Sequence, residues 1–561
     1  MSYSCETMSV LNRIPSHLKR KIICNIGPTN SGKTHAAMEH LSRSTGVFCS
    51  PLRMLAHESY EKLKKQNCKV NLITGEVRIE NYNHRSVHQI CSTIEMLNIE
   101  KTYQVAVIDE IQMIENEFRG QSWTRALMNL KAETLYACGE ERAAPIIERL
   151  IKTYTDDDIE IRHFERLSPL TIMTKEIAIY DLQKGDCIVC FSRNKVVQFK
   201  NMIEQKGLKV SVVYGALPPE SRVEQSNLFN TGKTDVLIGT DAIGMGLNLE
   251  IQRMIFSTNL KYNGSFNEPI EDFMVRQIAG RAGRFSSANK VGFVSAFDKS
   301  VLSFVNQNYH KKPLDIQNVI VGFELDDLKE IKLKNPTFTL TQLISYYFNQ
   351  PLPASFAYQN TNNLLRVGYL LNSLVNCSIR DQYYFLLAPV KLKKQTTLSL
   401  LLYNHIIDCF INNKFADPFK FLTSYFAING TQFFNSKDIW RIYEDFITKS
   451  VREDFSVLPL QPLDTPKKQL HGNLIESILT LKKVKFEHSE QLEHIYMCLS
   501  LYAWLRNRFY FHPTFNYAFN PTSSEVMDSV LKDSLITFSS LCSKALSAKA
   551  PKPKRYWSSI N

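Results

Sequence analysis

A glycine-rich stretch near the start of the 561-residue chain has the pattern that binds phosphate groups. It reads Gly27, Pro28, Thr29, Asn30, Ser31, Gly32, Lys33 and Thr34. The two glycines allow a turn tight enough for backbone N–H groups and a helix N-terminus to surround phosphates. Lys33 can reach the β and γ phosphates of a nucleotide, and Thr34 can place its hydroxyl on Mg²⁺. The stretch therefore predicts a site for ATP or GTP lined by these residues.

Two adjacent carboxylates follow an apolar run and can supply the second half of such a site. Residues 105–108 are typical of a buried strand, and Asp109 and Glu110 come directly after them. Charged side chains are rarely left unpaired inside a protein, so the pair is better explained by chemistry than by packing. We expect Asp109 to hold Mg²⁺ through water and Glu110 to polarise the attacking water as general base. The alternative is that the two acids only begin a surface loop.

Two arginines three apart lie far downstream, in the segment that runs from Gln277 to Arg284 and includes Gly280, Arg281 and Gly283. On a helix the arginines would share one face, and the glycines would allow a close approach. An arginine presented to a γ phosphate stabilises transition-state charge, by roughly 10³ to 10⁵ in rate in other NTPases. Hydrolysis would then require two parts of the protein to close and reopen, which can move a bound strand. The alternative is a turn that binds nothing.

Apolar runs that alternate with stretches of helical periodicity must position these side chains. Such alternation of strand and helix implies a parallel sheet covered on both faces. The expected strands are 21–26, 47–49, 70–73, 104–109 and 133–138 in a first series, and 187–191, 210–214, 235–240, 253–256 and 292–296 in a second. We predict an α/β fold with two lobes in tandem. Residues 1–165 carry the phosphate loop and the carboxylates, and residues 166–300 carry the arginines.

Beyond residue 300 the pattern becomes helical, with leucine and aromatic residues three or four apart. Leu499, Tyr502 and Leu505 are an example, and such a stripe is more typical of a core than of a binding surface. We predict a helical C-terminal domain over residues 301–540. Residues 541–561 combine lysines with prolines and lack acids after residue 541, which predicts a disordered basic tail able to contact phosphates without regard to sequence.

Composition narrows the class of protein. The chain has 67 lysines and arginines against 55 acids, a net charge of +12, which favours polyanionic partners, although a basic surface that serves solubility gives the same sum. No run of 18 apolar residues is present, which excludes a membrane-spanning helix. The 12 cysteines are spread singly, which favours a reducing compartment over a disulfide framework. The one C-x-x-C, Cys187 to Cys190, lies in an apolar run and is expected to be structural.

The motifs, taken in order, resemble those of superfamily two helicases. The residues at their variable positions resemble in particular those of the ATP-dependent RNA helicase subunit of the mitochondrial degradosome. They are residues 27–34, 50–58, 74–76, 109–113, 119–127, 239–248 and 277–284, with a further similarity to the helical C-terminal segment of that family at residues 499–509. The resemblance implies two RecA-like lobes and a helical accessory domain, with ATP and Mg²⁺ as cofactors.

The same resemblance implies roles for individual residues. Gln112 would couple the state of the γ phosphate to the interface between the lobes, and Gln277 would belong to the catalytic set with Lys33. Thr240, Asp241 and Gly244 would contact both the nucleic-acid backbone and the ATP cleft. The remaining strand-binding residues would be Pro51, Arg53, Thr74 and Gly75 in the first lobe and Ser192 in the second. Backbone contacts of this kind make binding salt-dependent and largely independent of sequence.

The resemblance further implies unwinding with 3′-to-5′ polarity from a single-stranded tail, RNA as the partner, and delivery of RNA to an exoribonuclease in the mitochondrial matrix. Family members usually have a substantial domain before the phosphate loop, whereas 26 residues precede Gly27. No removable presequence is expected, because residues 21–26 already form a strand and Arg13 is the only lysine or arginine before Lys19. Cytoplasmic or nuclear locations are therefore alternatives.

Two other functions fit these residues. The first is a DNA or mixed RNA/DNA helicase, because the motor motifs contact the backbone and do not distinguish sugars. The second is an ATP-binding scaffold subunit of an RNA-decay complex, which would have no need for Glu110 together with Arg281 and Arg284. Unwinding of matched RNA and DNA duplexes distinguishes the first alternative from an RNA helicase. Stimulation of ATP hydrolysis by RNA distinguishes the second.

Overall fold

The computed structural model of the chain describes residues 11, 14–15, 18–80, 88–244, 248–262, 266–283, 291–374, 376–390, 397–429, 489–515 and 521–547. Within these residues two sheets follow one another along the chain, and a mainly helical region comes after them. Every strand that the alternation predicted is present in the described structure, with its bounds shifted by at most a few residues.

The first lobe is built on an eight-stranded sheet. Its strands are β1 (Lys21–Ile26), β2 (Gly46–Ser50), β3 (Val70–Ile73), β4 (Arg78–Ile79), β5 (Gln89–Thr93), β6 (Thr102–Ile108), β7 (Lys131–Gly139) and β8 (Asp158–His163), and its helices are α1 (Lys33–Ser42), α2 (Arg53–Lys65), α3 (Gly120–Asn129) and α4 (Ala144–Tyr154). The strand order is β4-β3-β5-β2-β6-β7-β1-β8, and the pairings are parallel except for β3 with β4. Ile22 and Ile23 enter different apolar clusters, so the sheet is covered on both faces.

The second lobe is built on a six-stranded sheet that is parallel throughout. Its strands are β9 (Leu170–Ile172), β10 (Asp186–Val189), β11 (Val210–Val213), β12 (Val236–Gly239), β13 (Arg253–Phe256) and β16 (Gly292–Ala296), a hairpin is formed by β14 (Leu260–Tyr262) and β15 (Asn267–Pro269), and the helices are α5 (Arg193–Glu204), α6 (Pro219–Asn230), α7 (Asp272–Ala279) and α8 (Lys299–His310). The order is β11-β12-β10-β13-β16-β9. The predicted pair of parallel α/β lobes is therefore confirmed.

The remaining described residues are mainly helical. They form α9 (Leu325–Lys334), α10 (Leu340–Phe348), α11 (Asn362–Leu370), α12 (Ile379–Leu386), α13 (Thr397–Ile411), α14 (Pro418–Asn429), α15 (Ser489–Arg506) and α16 (Pro521–Ser547), together with the short parallel strands β17 (Val319–Val321) and β18 (Phe356–Tyr358). Leu499, Tyr502 and Leu505 are buried in one large cluster, as expected for a core stripe.

The helical region contacts both lobes. On the first lobe, the hydroxyl of Thr124 donates to the carbonyl oxygen of Ile320 at 2.6 Å, which joins α3 to β17. On the second lobe, the buried hydroxyl of Ser221 donates to the carbonyl oxygen of Ser539 at 2.6 Å, which joins α6 to α16. The two lobes are therefore connected by a third body as well as by the chain between them.

Part of the predicted tail is helical. Helix α16 continues to Ser547, past the predicted start of the tail at residue 541, because Cys542 and Leu546 are buried and Leu546 packs into the core of the second lobe. The rest of the predicted tail, residues 548–561, lies outside the described residues.

The expectations about cysteines and membranes can be compared with the described part of the chain. Its cysteines are all free thiols. Cys187 and Cys190 are buried on β10 and just after it, and burial raises the pKa of Cys190 to about 11, which makes it an inert packing residue. No helix among the described residues is long and apolar enough to cross a bilayer.

Candidate nucleotide and nucleic-acid site

The phosphate loop joins β1 to α1, so its backbone N–H groups lie at the start of a helix. Gly32 has a φ of 79°, in the left-handed region that glycine tolerates, and α1 begins at Lys33. The Lys33 ammonium donates to the carbonyl oxygens of Gly27 at 3.1 Å and Pro28 at 2.9 Å. It therefore lies over the loop, where it can reach a phosphate. Ser31 Oγ is buried without a hydrogen-bond partner in the described structure, and a phosphate oxygen would supply one.

The predicted metal-binding pair is in direct contact. Asp109 follows β6, and the hydroxyl of Thr34 on α1 donates to its carboxylate at 2.8 Å. Asp109 is 8% exposed, and its burial together with the charge of Glu110 raises its pKa to about 6. The indole N–H of Trp123 fixes the Asp109 backbone by donating to its carbonyl oxygen at 3.0 Å. A carboxylate beside a hydroxyl is the oxygen set that Mg²⁺ takes in nucleotide sites, so these residues fit the metal.

Glu110 has an unusual backbone conformation that directs its carboxylate. Its φ of 51° is in the left-handed region, which a residue other than glycine adopts at a cost and typically at functional sites. The side-chain amide of Gln112 donates to the Glu110 carboxylate at 2.5 Å and accepts from the backbone N–H of Glu140 at 3.1 Å. Gly139 is required beside it, because a Cβ there would lie 2.4 Å from Gln112 Oε1. Gln112 thus links the acids after β6 to the end of β7.

Arg281 of the second lobe is buried near the two acids of this pocket. Its guanidinium is buried, and its Nε donates to the carbonyl oxygen of Gly244 at 3.0 Å. Burial lowers its pKa, whereas the nearby charges of Glu110 and Asp109 act to raise it. The arginine is therefore within electrostatic reach of the two acids of the first lobe. Arg284 lies outside the described residues.

The other predicted nucleotide residues of the second lobe lie close to Arg281 in the fold. Asp241 and Gly244 bound a short 3₁₀ turn that follows β12, and Gln277 is buried on α7. The Asp241 carboxylate accepts from the ammonium of Lys261 at 2.6 Å. The structure thus joins Gly244 directly to Arg281. Asp241 forms an ion pair with Lys261 instead.

The strand-binding residues predicted in the first lobe meet at one edge of its sheet. Pro51 follows β2 and Thr74 follows β3, and both strands pair in parallel with β5, so their carboxyl ends lie together, where open α/β sheets bind ligands. Arg53 forms an ion pair with Glu76. Thr74 is buried and accepts from the backbone N–H of Val77 at 3.0 Å, so its hydroxyl shapes the turn.

The strand-binding residues predicted in the second lobe lie at the matching edge of the second sheet. Ser192 comes after β10 and Thr240 after β12, and these strands are parallel neighbours. Ser192 accepts from the backbone N–H of Lys195 at 3.2 Å and so caps α5. Thr240 is buried, with its hydroxyl accepting from the N–H of Ala242 at 3.4 Å. Both hydroxyls thus have local structural partners.

The matches to known proteins agree with this geometry. The family model of the DEXQ-box helicase domain of Suv3 matches residues 13–164, and that of the helicase conserved C-terminal domain matches residues 170–286. The two matched segments are therefore similar to the two domains of superfamily two helicases. The boundary between the two matches coincides with the boundary between the two lobes, so the phosphate loop and Arg281 belong to different helicase domains.

Curated relatives match this chain over most of its length. The ATP-dependent RNA helicase SUV3, mitochondrial, of Candida albicans is 37% identical over 88% of this chain and 64% of its own. The DExH-box ATP-dependent RNA helicase DExH16, mitochondrial, of Arabidopsis thaliana is 38% identical over 66% of this chain and 65% of its own. A solved structure of Saccharomyces cerevisiae Dbp5 bound to RNA and ADP BeF3 covers 58% of this chain and 92% of its own, at 17% identity and a TM-score of 0.40. The chain thus spans slightly under two thirds of the length of both curated relatives.

Two contacts at this site were missed by sequence reasoning: the contact of Gly75 and Glu76 with the helical region, and the contact of Arg166 with the phosphate loop. Gly75, predicted to hold a strand, lies beside the helical region, because a Cβ on it would be 3.1 Å from Trp504 Cδ1. The side chain of Asn507 donates to the carbonyl oxygen of Glu76 at 3.2 Å. Arg166, between the lobes, donates to the carbonyl oxygen of Thr29 at 3.1 Å. The signal for Trp504 was its place in the family-like segment, whereas a lone arginine after β8 gave no signal.

Proposed function

We propose that this protein is an RNA-dependent ATPase that unwinds duplexes with 3′-to-5′ polarity during RNA turnover. The observation that supports it best is Arg281, which comes from the second lobe and lies within electrostatic reach of Asp109 and Glu110 in the first. A nucleotide bound on the phosphate loop would lie between them. Its hydrolysis would then depend on the distance between the lobes.

Each side chain has a defined task in this proposal. Lys33 binds the β and γ phosphates, Thr34 and Asp109 would hold Mg²⁺, and Glu110 orients the attacking water and accepts its proton. Mg²⁺, when bound, neutralises charge that develops on the phosphate oxygens. Arg281 stabilises the charge on the γ phosphate in the transition state, and Arg284 is proposed to do the same. Because Asp109 must be ionised to bind the cation, its raised pKa predicts weaker nucleotide binding below about pH 6.

The strand is proposed to cross the carboxyl edges of both sheets. Pro51, Arg53, Thr74 and Gly75 would contact it on the first lobe, and Ser192 and Thr240 on the second. Hydrolysis reopens the lobes and shifts one set of contacts relative to the other, which moves the strand. Such contacts are made to the backbone, so binding should weaken steeply with salt.

The setting of this activity is proposed from the relatives. Their names describe mitochondrial ATP-dependent RNA helicases, which supports a mitochondrial location and RNA as the substrate here. Delivery of the unwound RNA to a 3′-to-5′ exoribonuclease is proposed from the family resemblance of the motifs. Action on DNA and a scaffold role stay as alternatives.

One set of assays tests the proposal. ATP hydrolysis and strand separation are measured on RNA and DNA duplexes that carry either a 3′ or a 5′ single-stranded tail. We expect RNA to stimulate hydrolysis and the 3′-tailed RNA duplex to be unwound. Lys33→Ala should abolish both activities, whereas Lys65→Ala, which removes an exposed lysine at the end of α2, should not.

The outcomes separate the alternatives. Equal unwinding of DNA would make the protein a mixed helicase, and hydrolysis without any stimulation by RNA would favour the scaffold. Unchanged turnover in Lys33→Ala would contradict the assignment of the phosphate loop.

A further inference from the structure

The short segment between the lobes, residues 164–169, contacts both the phosphate loop and the arginine segment. We call it the interlobe linker. Arg166 lies at its centre and donates through Nη1 to the carbonyl oxygens of Thr29 at 3.1 Å and Gly280 at 2.8 Å. Its Nη2 donates to the carbonyl oxygen of Ala282, and its Nε donates to that of Ser168 at 2.7 Å. One guanidinium therefore bridges the first lobe, the linker and the second lobe.

The carbonyl groups that Arg166 contacts in the second lobe belong to the residues on either side of Arg281. Gly280 and Ala282 precede and follow it directly, so Arg166 fixes the backbone from which the Arg281 side chain projects. A guanidinium is suited to this task, because its planar fork presents several donors in fixed directions. A lysine has one ammonium and could not reach the same acceptors together.

A second polar contact runs parallel to the first. The side-chain amide of Asn30 donates to Ser168 Oγ at 2.7 Å and to the carbonyl oxygen of Gly283 at 3.2 Å. The hydroxyl of Ser168 in turn donates to the carbonyl oxygen of Gly283. The interlobe linker thus joins the phosphate loop to the segment that carries Arg281 at two points, through Arg166 at Gly280 and Ala282 and through Ser168 at Gly283.

We propose that Arg166 is a positioning residue for ATP hydrolysis, which holds the backbone of Arg281 against the phosphate loop so that the Arg281 guanidinium faces the γ phosphate. The inference rests on the proposed ATPase function and assigns a part of its coupling to the interlobe linker. Arg166 acts through Arg281, because its described donors are directed to backbone carbonyl oxygens of the protein.

The test is a double-mutant cycle on the full chain. Steady-state ATP hydrolysis with saturating RNA is measured for the wild type, Arg166→Ala, Arg281→Ala and the double variant, with Arg166→Lys as the conservative change. The matched control is Arg162→Ala, four residues earlier, where the arginine is exposed on β8 and donates to Glu160 at 2.7 Å. ATP affinity and thermal stability are measured on the same samples.

We expect Arg166→Ala to lower kcat by about 10- to 100-fold, because a misplacement of about 1 Å at a catalytic group has effects of that size. The KM for ATP should change by less than about threefold, because the phosphate loop itself is intact. Arg166→Lys should lie in between, and Arg162→Ala should match the wild type. The double variant should have the kcat of Arg281→Ala alone, since Arg166 has no effect once the side chain that it positions is absent.

Two results would overturn the inference: a normal kcat in Arg166→Ala, or losses from Arg166→Ala and Arg281→Ala that multiply in the double variant. If Arg166→Ala does not fold, the same cycle with Arg166→Lys decides the question by the same criteria. Failure of the proposed function is distinguishable, because Lys33→Ala would then retain turnover or the wild type would have none. An active wild type, an inactive Lys33→Ala and a normal Arg166→Ala would reject only the role of Arg166.

Discussion

Replacing Gly280 by alanine should place a methyl group inside the phosphate loop. An ideal Cβ on Gly280 lies 1.8 Å from Thr29 Oγ1 and 3.2 Å from Thr29 Cβ. Gly280 has a φ of −60° and a ψ of −12°, a conformation that alanine adopts without strain. The substitution therefore tests the contact between the lobes and leaves the backbone preference unchanged.

The size of the effect follows from the geometry. The 1.8 Å separation falls about 1.6 Å short of the 3.4 Å at which ordinary Cβ contacts begin. Rotation of Thr29 cannot remove the whole overlap, because its own Cβ, at 3.2 Å, is also closer than an ordinary contact. The arginine segment must therefore move away from the loop. A displacement of about 1 Å lowers rates by about 100-fold, which corresponds to about 2.7 kcal/mol of transition-state stabilisation.

The assay is RNA-stimulated ATP hydrolysis of Gly280→Ala, with Thr29→Ala as the complementary change. Thr29→Ala removes the Oγ1 atom, so the additional loss caused by Gly280→Ala should be smaller in that background, although the remaining contacts keep it from vanishing. Gly215→Ala is the matched control, since a Cβ there meets nothing within 4 Å. A Gly280→Ala protein with wild-type kcat, or an equal loss with and without the Thr29 hydroxyl, would falsify the claim that these segments are in contact during turnover.

The same structure supports three further predictions. Arg281→Ala should bind ATP and RNA but lower kcat by roughly 10³-fold or more, as measured by steady-state hydrolysis beside nucleotide binding. Asp109→Asn should raise stability at pH 7.5 by on the order of 2 kcal/mol and give no gain near pH 4 in thermal unfolding. Burial and the charge of Glu110 raise the pKa of Asp109 in the folded protein to about 6, whereas it is roughly 3.9 in the unfolded chain. The wild-type protein therefore has its full stability below about pH 4 and loses part of it as the pH rises through 6, because folding disfavours the ionised carboxylate. Arg20→Ala should lower the urea-measured free energy of unfolding by about 3–5 kcal/mol, because it removes the guanidinium that pairs with the buried Asp157 side chain at 2.6 Å.

Each of these has a control or a contrary result. Normal hydrolysis in Arg281→Ala would mean that the lobes do not cooperate in catalysis. A stability gain in Asp109→Asn that is the same at pH 4 and pH 7.5 would contradict the raised pKa. For Arg20, the comparison is Arg43→Ala, whose ion pair with Glu39 has both side chains more than half exposed and should change stability by less than about 1 kcal/mol. Equal losses in the two arginine variants would contradict the role of burial.

The sequence predicted strands well where burial on both faces makes a continuous apolar run. β2 and β12 are buried along their whole lengths, and both were predicted. β5 was missed because it contains Gln89, a buried polar residue whose amide donates to the carbonyl oxygen of Ser44 at 2.8 Å. β8 was missed because it lies at the sheet edge and its alternating apolar and charged residues do not form a continuous apolar run. In both strands, partners distant in sequence decide the structure.

The residues of the candidate site also differ in how far the sequence alone predicts them. The phosphate loop could be predicted because its chemistry is local: Gly27, Gly32, Lys33 and Thr34 act within one turn between a strand and a helix. The position of Arg281 could be predicted only as a requirement of the chemistry, and the structure places it within electrostatic reach of the acids of the other lobe.

The residues that hold Arg281 near the phosphate loop could not be recognised from the sequence, for a physical reason. Arg166 donates to carbonyl oxygens, and every residue has one, so no residue type at positions 29, 280 or 282 indicates its presence. Gly280 could be recognised as a site of close approach, but its neighbour Thr29 Oγ1 lies 251 positions earlier in the chain. A motif defines which groups react, whereas the backbone contacts between motifs define how far apart they are. For the proposed ATPase, whose rate would depend on the distance between the two lobes, the contacts between motifs would determine whether the motifs can act together.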